Sequence, residues 1–135
     1  MTQIEKVFIL EQIPKGTSQM KRVNHRNGTF FEGKDLKEAR RIYTNCLSQC
    51  APEHPIEGPV MVRMNFGYFI KDKKKKGKPK TSRPDCDNLV KLVLDCMTSL
   101  GYWNDDSQIV SLTVGKMFST GAAFFSVAVK EVCDD

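Results

Sequence analysis

The sequence predicts one small domain of the α/β or α+β class, in which a mixed β-sheet packs against two main helices. Residues 35–50 and 85–100 each repeat apolar side chains at the spacing of an amphipathic helix. Four other segments are rich in β-branched and aromatic residues and are bounded by proline, glycine or polar residues. With 135 residues the chain is long enough to bury one sizeable core, and we expect residues 1–135 to form a single domain.

The N-terminal part predicts a strand followed by a hairpin. Residues 4–10, with the sequence IEKVFIL, are mostly apolar, and the strand should end before Pro14. The Asn-Gly dipeptide at residues 27–28 favours a tight hairpin turn. The short arms of this hairpin would be residues 22–24 and 29–31.

Two helices are predicted from apolar stripes. Asp35 is a plausible N-cap of the first helix, and Gly101 is a natural stop for the second. Both stripes are typical of helices that face a core. The stripe residues are Leu36, Ala39, Ile42, Tyr43, Cys46, Leu47 and Cys50 in the first helix, and Leu89, Leu92, Val93, Cys96, Met97 and Leu100 in the second.

Three further strands are predicted at residues 60–70, 107–118 and 122–132. The first alternates apolar and polar residues in part, which indicates that one of its sides faces a core. The order of elements is then strand, hairpin, helix, strand, helix, strand, strand, which is typical of a mixed sheet.

The composition is that of an ordinary globular protein, with 40% apolar and 27% charged residues. No apolar run approaches the roughly 20 residues of a membrane span, and residues 1–6 do not resemble a signal peptide. The five cysteines include no C-x-x-C pair, and with two histidines they form no zinc pattern. We therefore expect a cytoplasmic protein with reduced cysteines and no contact with a membrane.

Positive charge is concentrated in the first part of the chain. Residues 1–80 carry a net charge of +9 and residues 81–135 a net charge of −4. Residues 71–83 are lysine-rich, cannot bury apolar surface, and are predicted to form a flexible loop. A solvated loop would explain them, but their place beside an acidic segment favours contact with nucleic-acid phosphates. The candidate contacts in this loop are Lys73, Lys74, Lys75, Lys76, Lys78, Lys80 and Arg83.

Four aspartates flank the second predicted helix. Asp85 and Asp87 lie at its start, and Asp105 and Asp106 follow its end. Grouped carboxylates suit a hard divalent cation such as Mg²⁺, although aspartates at helix ends are also common as caps. A helix of about 15 residues spans roughly 22 Å, so the sequence alone does not bring the two pairs together in one protomer.

The acidic segments carry a family resemblance. Residues 83–91 read RPDCDNLVK, residues 101–110 read GYWNDDSQIV, and Lys116 follows. In order and spacing they resemble the RusA family of Holliday junction resolvases, small and mostly prophage-encoded endodeoxyribonucleases with the pattern D-x-D-N-x-x-K and then G-[FY]-x-x-D-D-[SA]-Q. The resemblance is close over residues 83–116 and loose over residues 4–70.

This resemblance implies which residues are functional. Asp85, Asp87 and Asp106 match the carboxylates that bind Mg²⁺ in the family, and Lys91 matches a lysine needed for cleavage, so these four are the candidate catalytic residues. Asn88 and Lys116 match recurrent positions with supporting roles, and Lys116 joins the candidate DNA contacts. The role of Asp105 stays open. The family fold is a compact α/β homodimer with two acidic sites flanked by basic surface.

The implied function is Mg²⁺-dependent resolution of four-way DNA junctions by paired symmetric cuts in recombination and repair. A near two-fold symmetric substrate suits a homodimer. Candidates for part of its interface are Val110, Leu112 and Val114 or Phe124, Phe125 and Val127, with a place in the core as the alternative. Two alternatives stay open: a non-catalytic basic module that binds nucleic acid, and a nuclease for other branched DNA. Residues 16–22 are less basic than this part of the family, which bears on junction selectivity.

Overall fold

The structure is a computed structural model that describes residues 1–17, 21–23, 26, 28 and 30–133, with the backbone alone at 21–23 and 30–32. The predicted order of elements is confirmed. Asn27 and the arm residues 24 and 29 lie outside the described residues. The elements are β1 (Gln3–Leu10), β2 (Lys21–Val23), β3 (Phe30–Glu32), α1 (Lys34–Ser48), β4 (Val60–Phe69), α2 (Cys86–Ser99), β5 (Ile109–Ser119) and β6 (Ala123–Glu131).

The main sheet has the strand order β1-β6-β4-β5. β1 and β4 both run antiparallel to β6, and β4 runs parallel to β5. Parallel neighbours need a long crossover, and α2 lies within the one that joins β4 to β5. Although β5 and β6 are consecutive in the sequence, β4 lies between them. β2 and β3 form a separate antiparallel pair, which confirms the predicted hairpin.

One face of the sheet and the two helices form the core. Alternate side chains of β4 and β6 are buried, and the apolar stripes of α1 and α2 pack with them. The rings of Tyr43, Phe66 and Phe125 meet at centroid distances of 5.2–6.4 Å, a range typical of favourable aromatic pairs. No helix in the described part of the chain is both long and apolar enough to cross a membrane.

The turn after α2 ends the helix as the sequence predicts. Gly101 has a φ of +82°, a conformation that glycine adopts without steric cost, and its N–H donates to the carbonyl of Thr98 at 3.1 Å. The next two residues, Tyr102 and Trp103, are almost fully buried at 0% and 1% exposure. This turn directs the chain from the end of α2 towards the start of β5.

The opposite face of the sheet is not covered by a helix in the described residues. Val7, Ile9, Met61 and Phe69 are exposed at alternate positions on β1 and β4, whose neighbouring residues face the core. We call these outward-facing residues of the sheet the open face. Among the interface candidates, Phe125 and Val127 are core residues and Val114 packs partly against the core. Val110, Leu112 and Phe124 remain available.

Candidate active site and nucleic-acid interface

The start of α2 presents two exposed aspartates. Asp85 is the N-cap, and its backbone carbonyl accepts hydrogen bonds from the N–H groups of Asn88 and Leu89, both at 3.1 Å. Its carboxylate makes no capping hydrogen bond. Asp87 lies in the first turn, where the positive end of the helix dipole favours negative charge. Capping therefore does not explain the Asp85 side chain, which is free to bind a cation.

Two lysines hold the backbone that leads into Asp85. The Lys116 ammonium on β5 donates to the carbonyls of Ser82 and Pro84, both at 2.8 Å. The Lys80 ammonium donates to the Ser82 carbonyl at 3.2 Å, the Ser82 hydroxyl at 2.7 Å and the Arg83 carbonyl at 2.5 Å. Burial and the positive charge of Lys116 lower the pKa of Lys80. We call Lys80 and Lys116 the lysine clamp.

The lysine-rich segment is partly tied to the edge of the sheet. Lys73–Lys75 form a short 3-10 turn, and Asp72 accepts from the Lys74 N–H at 3.0 Å. Further along, the Gly77 N–H donates to the Phe118 carbonyl and the Phe118 N–H to the Lys78 carbonyl, at 2.9 and 3.0 Å. The segment thus lies along β5, and its predicted flexibility stays a prediction. The side chains of Lys71, Lys73, Lys74, Lys75, Lys76 and Lys78 are exposed.

Lys91 lies on the exposed side of α2, one turn after Asp87. No ion pair joins it to Asp87 or Asp95 among the residues that the structure describes. A surface ion pair at this spacing would be worth only about 0.3–0.5 kcal/mol. Its ammonium is therefore available for a phosphate.

The second acidic pair lies in a turn that Gln108 organises. The amide oxygen of Gln108 accepts from the N–H groups of Asn104 and Asp105 at 2.9 and 3.0 Å. Its amide nitrogen donates to the carbonyls of Ile56 and Gly58 at 2.7 and 3.0 Å. All four partners of the Gln108 side-chain amide are main-chain groups, so Gln108 fixes the turn to the loop before β4. The sequence signal for Gln108 is its place in the G-Y-W-x-D-D-S-Q run.

The two aspartates of this turn differ. Asp105 accepts a hydrogen bond from the Ser107 hydroxyl, and this bond is the main cause that lowers the pKa of its carboxyl. Asp105 thus serves the turn itself, whereas Asp106 opens the short 3-10 turn Asp106–Gln108 with an exposed side chain.

The two acidic pairs lie at opposite ends of α2. The helix has 14 residues and spans roughly 20 Å. Its start is fastened to β5 at Lys116, whereas Asp106 precedes Ile109 at the other end of that strand. No cluster of three potential metal-ligating side chains occurs in the described part of one chain. The structure therefore places Asp85 and Asp87 at the same end of α2, and one protomer does not add Asp106 to them.

A cleft of about 500 Å³ opens beside Asp85. Its far wall is the segment after β1. This segment packs closely against the start of α1, as a Cβ added to Gly16 would lie only 2.2 Å from the Asp35 carbonyl oxygen. The Tyr68 ring lines the cleft, with the Lys80 ammonium 4.6 Å from its centroid. The strand pattern of the sequence predicts only that Tyr68 shares the core-facing side. The lining residues are Ile13, Pro14, Lys15, Thr17, Tyr68, Arg83, Pro84, Asp85 and Asn88.

Three relatives share parts of this chain. A protein of Lactococcus phage r1t named crossover junction endodeoxyribonuclease rusA is 51% identical over 59 residues, covering 44% of this chain and 45% of the relative. The uncharacterized protein YqaN of Bacillus subtilis is 40% identical over 83 residues, covering 53% and 58%. Crossover junction endodeoxyribonuclease RusA of Escherichia coli K12 is 37% identical over 54 residues, covering 40% and 45%. The chain spans about half the length of these curated relatives.

The family comparison covers much more of the chain. The model of the family described as endodeoxyribonuclease RusA matches residues 12–129. This range contains the cleft wall after β1, both acidic pairs, the lysine-rich segment and Lys116. The chain therefore belongs to the endodeoxyribonuclease RusA family.

Proposed function

We propose that this chain is a Mg²⁺-dependent, structure-specific endodeoxyribonuclease that resolves Holliday junctions by paired symmetric cuts in DNA recombination and repair. The observation that carries the proposal is the exposed pair Asp85 and Asp87 beside a lysine-rich segment, with the Asp85 carboxylate not used as a cap. Two of the relatives above are named crossover junction endodeoxyribonucleases, which supports branched DNA as the substrate. We also propose that it acts in the cytoplasm, with which a DNA substrate is compatible.

The donor set at the start of α2 fits Mg²⁺. This ion takes hard oxygen ligands, keeps several waters, and is often held by one or two carboxylates together with substrate phosphates. Asp85 and Asp87 would hold it here. When bound, the ion would supply a Lewis acid for the scissile phosphate and lower the pKa of a coordinated water.

The residues around this pair have separate tasks in the proposed reaction. Lys91, which has no ion-pair partner among the described residues, would stabilise negative charge on the phosphate or on the leaving oxygen. The exposed lysines of residues 71–78 and Arg83 would neutralise flanking phosphates, an affinity that does not depend on sequence. The ammonium groups of Lys80 and Lys116 already contact main-chain carbonyls, so their part in DNA contact is secondary.

The working unit in this proposal is a homodimer. A four-way junction has near two-fold symmetry, and a dimer with two-fold symmetry presents two equivalent sites to it. Asp106 lies at the far end of α2 from Asp85 and is too distant to join the carboxylate pair of its own copy. In this proposal it joins the pair of the second copy instead. The apolar side chains of the open face, Val7, Ile9, Met61 and Phe69, are candidates for the contact between copies.

The test is cleavage of a synthetic four-way junction beside a flap substrate and a linear duplex of the same sequence, with and without Mg²⁺. We expect paired cuts in the junction that require Mg²⁺, and little cutting of the linear duplex. Equal cutting of the flap and the junction would favour a nuclease for branched DNA in general. Binding of all three substrates without any cutting would favour the non-catalytic module.

A further inference from the structure

The strongest unassigned feature is the lysine clamp. Its two ammonium groups converge on the carbonyls of residues 82, 83 and 84, directly before Asp85. We propose that Lys116 and Lys80 are positioning residues, which fix the main chain that presents Asp85 rather than contacting DNA phosphates. Only the DNA and metal measurements in its test rest on the proposed nuclease function.

Most donors of the clamp are used within the protein. A protonated lysine has three N–H donors and no acceptor. Lys80 has three oxygen partners between 2.5 and 3.2 Å and lies over the Tyr68 ring, and Lys116 has two partners at 2.8 Å. Both side chains are half-buried. To bind a phosphate, Lys80 would first have to give up one of its bonds, whereas Lys116 has one N–H left. The Arg83 and Pro84 carbonyls each have a single described partner, Lys80 and Lys116 respectively.

The segment held by the clamp lacks other support. In the described part of the chain, residues 81–84 make no backbone–backbone hydrogen bond. The nearest such bonds on either side are from the Lys80 N–H to the Lys116 carbonyl, and to the Asp85 carbonyl from Asn88 and Leu89. The three carbonyls of residues 82–84 are therefore satisfied by ammonium groups. Hydrogen bonds to charged donors are shorter and stronger than neutral ones.

The clamp also tolerates an unfavourable charge arrangement. Both ammonium groups approach one atom, the Ser82 carbonyl oxygen, at 3.2 and 2.8 Å. Like charges this close repel, so the pair persists only if the partial negative charges of the carbonyls compensate. A lysine that served solely as a phosphate contact would gain nothing from this placement. Lys78, two residues before Lys80, shows the contrast, because its side chain is exposed and has no partner among the described residues.

The experiment compares Lys116→Met and Lys80→Met with the matched control Lys78→Met. Methionine keeps the apolar stem and removes the ammonium. The first measurement is amide hydrogen exchange, followed by NMR without DNA or metal, at Asn88 and Leu89, whose N–H groups donate to the Asp85 carbonyl. We expect exchange of these two amides at least about tenfold faster in both clamp variants, because the main chain that presents this carbonyl is no longer held, and no change in Lys78→Met. Unchanged exchange in a folded Lys116→Met protein overturns the proposal.

A second measurement separates positioning from phosphate contact. The logarithm of the junction-binding constant is plotted against the logarithm of salt concentration in EDTA. We expect Lys78→Met to flatten the slope by about 0.9 and Lys116→Met to leave it unchanged. A slope that falls equally in both variants overturns the proposal, whatever the exchange result. Should Lys116→Met fail to fold, Lys80→Met decides by the same two criteria, since it removes bonds to the Ser82 and Arg83 carbonyls of the same segment.

A third measurement uses Mg²⁺ alone, by calorimetry on the metal-free proteins. Substitution of a residue that orients metal ligands typically lowers metal affinity or activity by about 10–100-fold. We expect Lys116→Met to lose Mg²⁺ affinity by a factor of this size and Lys116→Arg to recover part of it. The Mg²⁺ affinity of Lys78→Met should be unchanged. If the wild-type protein binds Mg²⁺ but cuts no DNA, the proposed function fails while the exchange result still decides the role of the clamp.

Discussion

At the residue scale, the side chains of the acidic motif divide into two groups. Asp85 and Asp87 are exposed, and the Asp85 carboxylate makes no capping bond. Asp105 and Gln108 are instead used by the local fold, through the Ser107 hydroxyl and four main-chain groups respectively. The family resemblance assigns these polar residues to one motif, but it does not distinguish the two groups. The distinction depends on which carbonyls and amides lie nearby in three dimensions.

The carboxylate of Asp87 gives the first prediction. Asp87→Asn should abolish cleavage of a four-way junction, because an amide oxygen is a poor substitute for a charged Mg²⁺ ligand. Junction binding should stay equal or become tighter, because one repulsive charge next to the phosphates is removed. Cleavage under single-turnover conditions and binding in EDTA measure the two effects. Asp95→Asn, on the same helix, is the matched control, and full activity in Asp87→Asn would remove this residue from the site.

Lys91 gives a second prediction at this scale. Its ammonium has donors only and does not ligate a cation, so its task concerns the phosphate. Lys91→Ala should keep the Mg²⁺ affinity measured by calorimetry and lose most of the single-turnover cleavage rate. Lys91→Arg should rescue poorly, because a planar guanidinium does not reproduce a compact point charge. Near-normal cleavage by Lys91→Ala would mean that this lysine is only a surface residue.

At the element scale, the sequence predicts what is local and misses what depends on pairing. The apolar stripes identify α1 and α2, and Gly101 ends α2 as expected, whereas the N-cap of α1 is Gly33 and not Asp35, which lies in the first turn. The strand order cannot be predicted in this way, since nothing in the sequences of β5 and β6 shows that β4 lies between them. The lysine-rich segment is a similar case. Its composition predicts a flexible loop that contacts phosphates, and it does not indicate that residues 77–80 are hydrogen bonded to the edge strand β5.

The turn that precedes β5 gives a third prediction. Gln108→Ala removes an amide that bonds two N–H groups and two carbonyls. Leaving such groups without partners should lower the free energy of unfolding by about 2–3 kcal/mol. Gln49→Ala is the control, because its exposed amide makes one bond, to Asn45, and should cost under about 0.5 kcal/mol. Urea unfolding measures both, and equal small effects would contradict the role assigned to Gln108.

The lysine-rich segment gives a fourth prediction. Replacing Lys73, Lys74, Lys75 and Lys76 by alanine should weaken junction binding and flatten its salt dependence, by about 0.9 in the logarithmic slope for each phosphate that is no longer neutralised. The fold should be kept, because these side chains are exposed and the segment is fastened to β5 through its backbone. Fluorescence anisotropy over a range of salt concentrations measures the slope. A slope equal to that of the wild-type protein would leave the segment as a solvated loop.

At the scale of the whole molecule, the position of Asp106 is the feature that one protomer does not explain. The family resemblance groups Asp106 with Asp85 and Asp87, whereas α2 separates them by roughly 20 Å. The sequence already shows this conflict, because a helix of fixed length lies between the two pairs. What the sequence lacks is the arrangement of the second copy that we propose, which would depend on surfaces such as the open face rather than on local pattern.

The last prediction tests whether each site combines two copies. If Asp85 and Asp87 of one subunit act with Asp106 of the other, a mixed dimer of Asp87→Asn and Asp106→Asn subunits has one doubly damaged site and one intact site. Each variant alone should be inactive. Refolding the two together in equal amounts should restore about a quarter of the wild-type nicking, because about half of the dimers are mixed and each has one of two sites.

The controls define the alternatives for this experiment. Mixing Asp85→Asn with Asp87→Asn subunits should restore nothing, because both residues lie on the same helix start and every mixed dimer has one defect in each site. Sedimentation at micromolar concentration should first show that both variants are dimers. If the mixture of Asp87→Asn and Asp106→Asn stays as inactive as its components, Asp106 does not act across the interface. A monomer that still makes paired cuts in one encounter would contradict the dimeric site altogether.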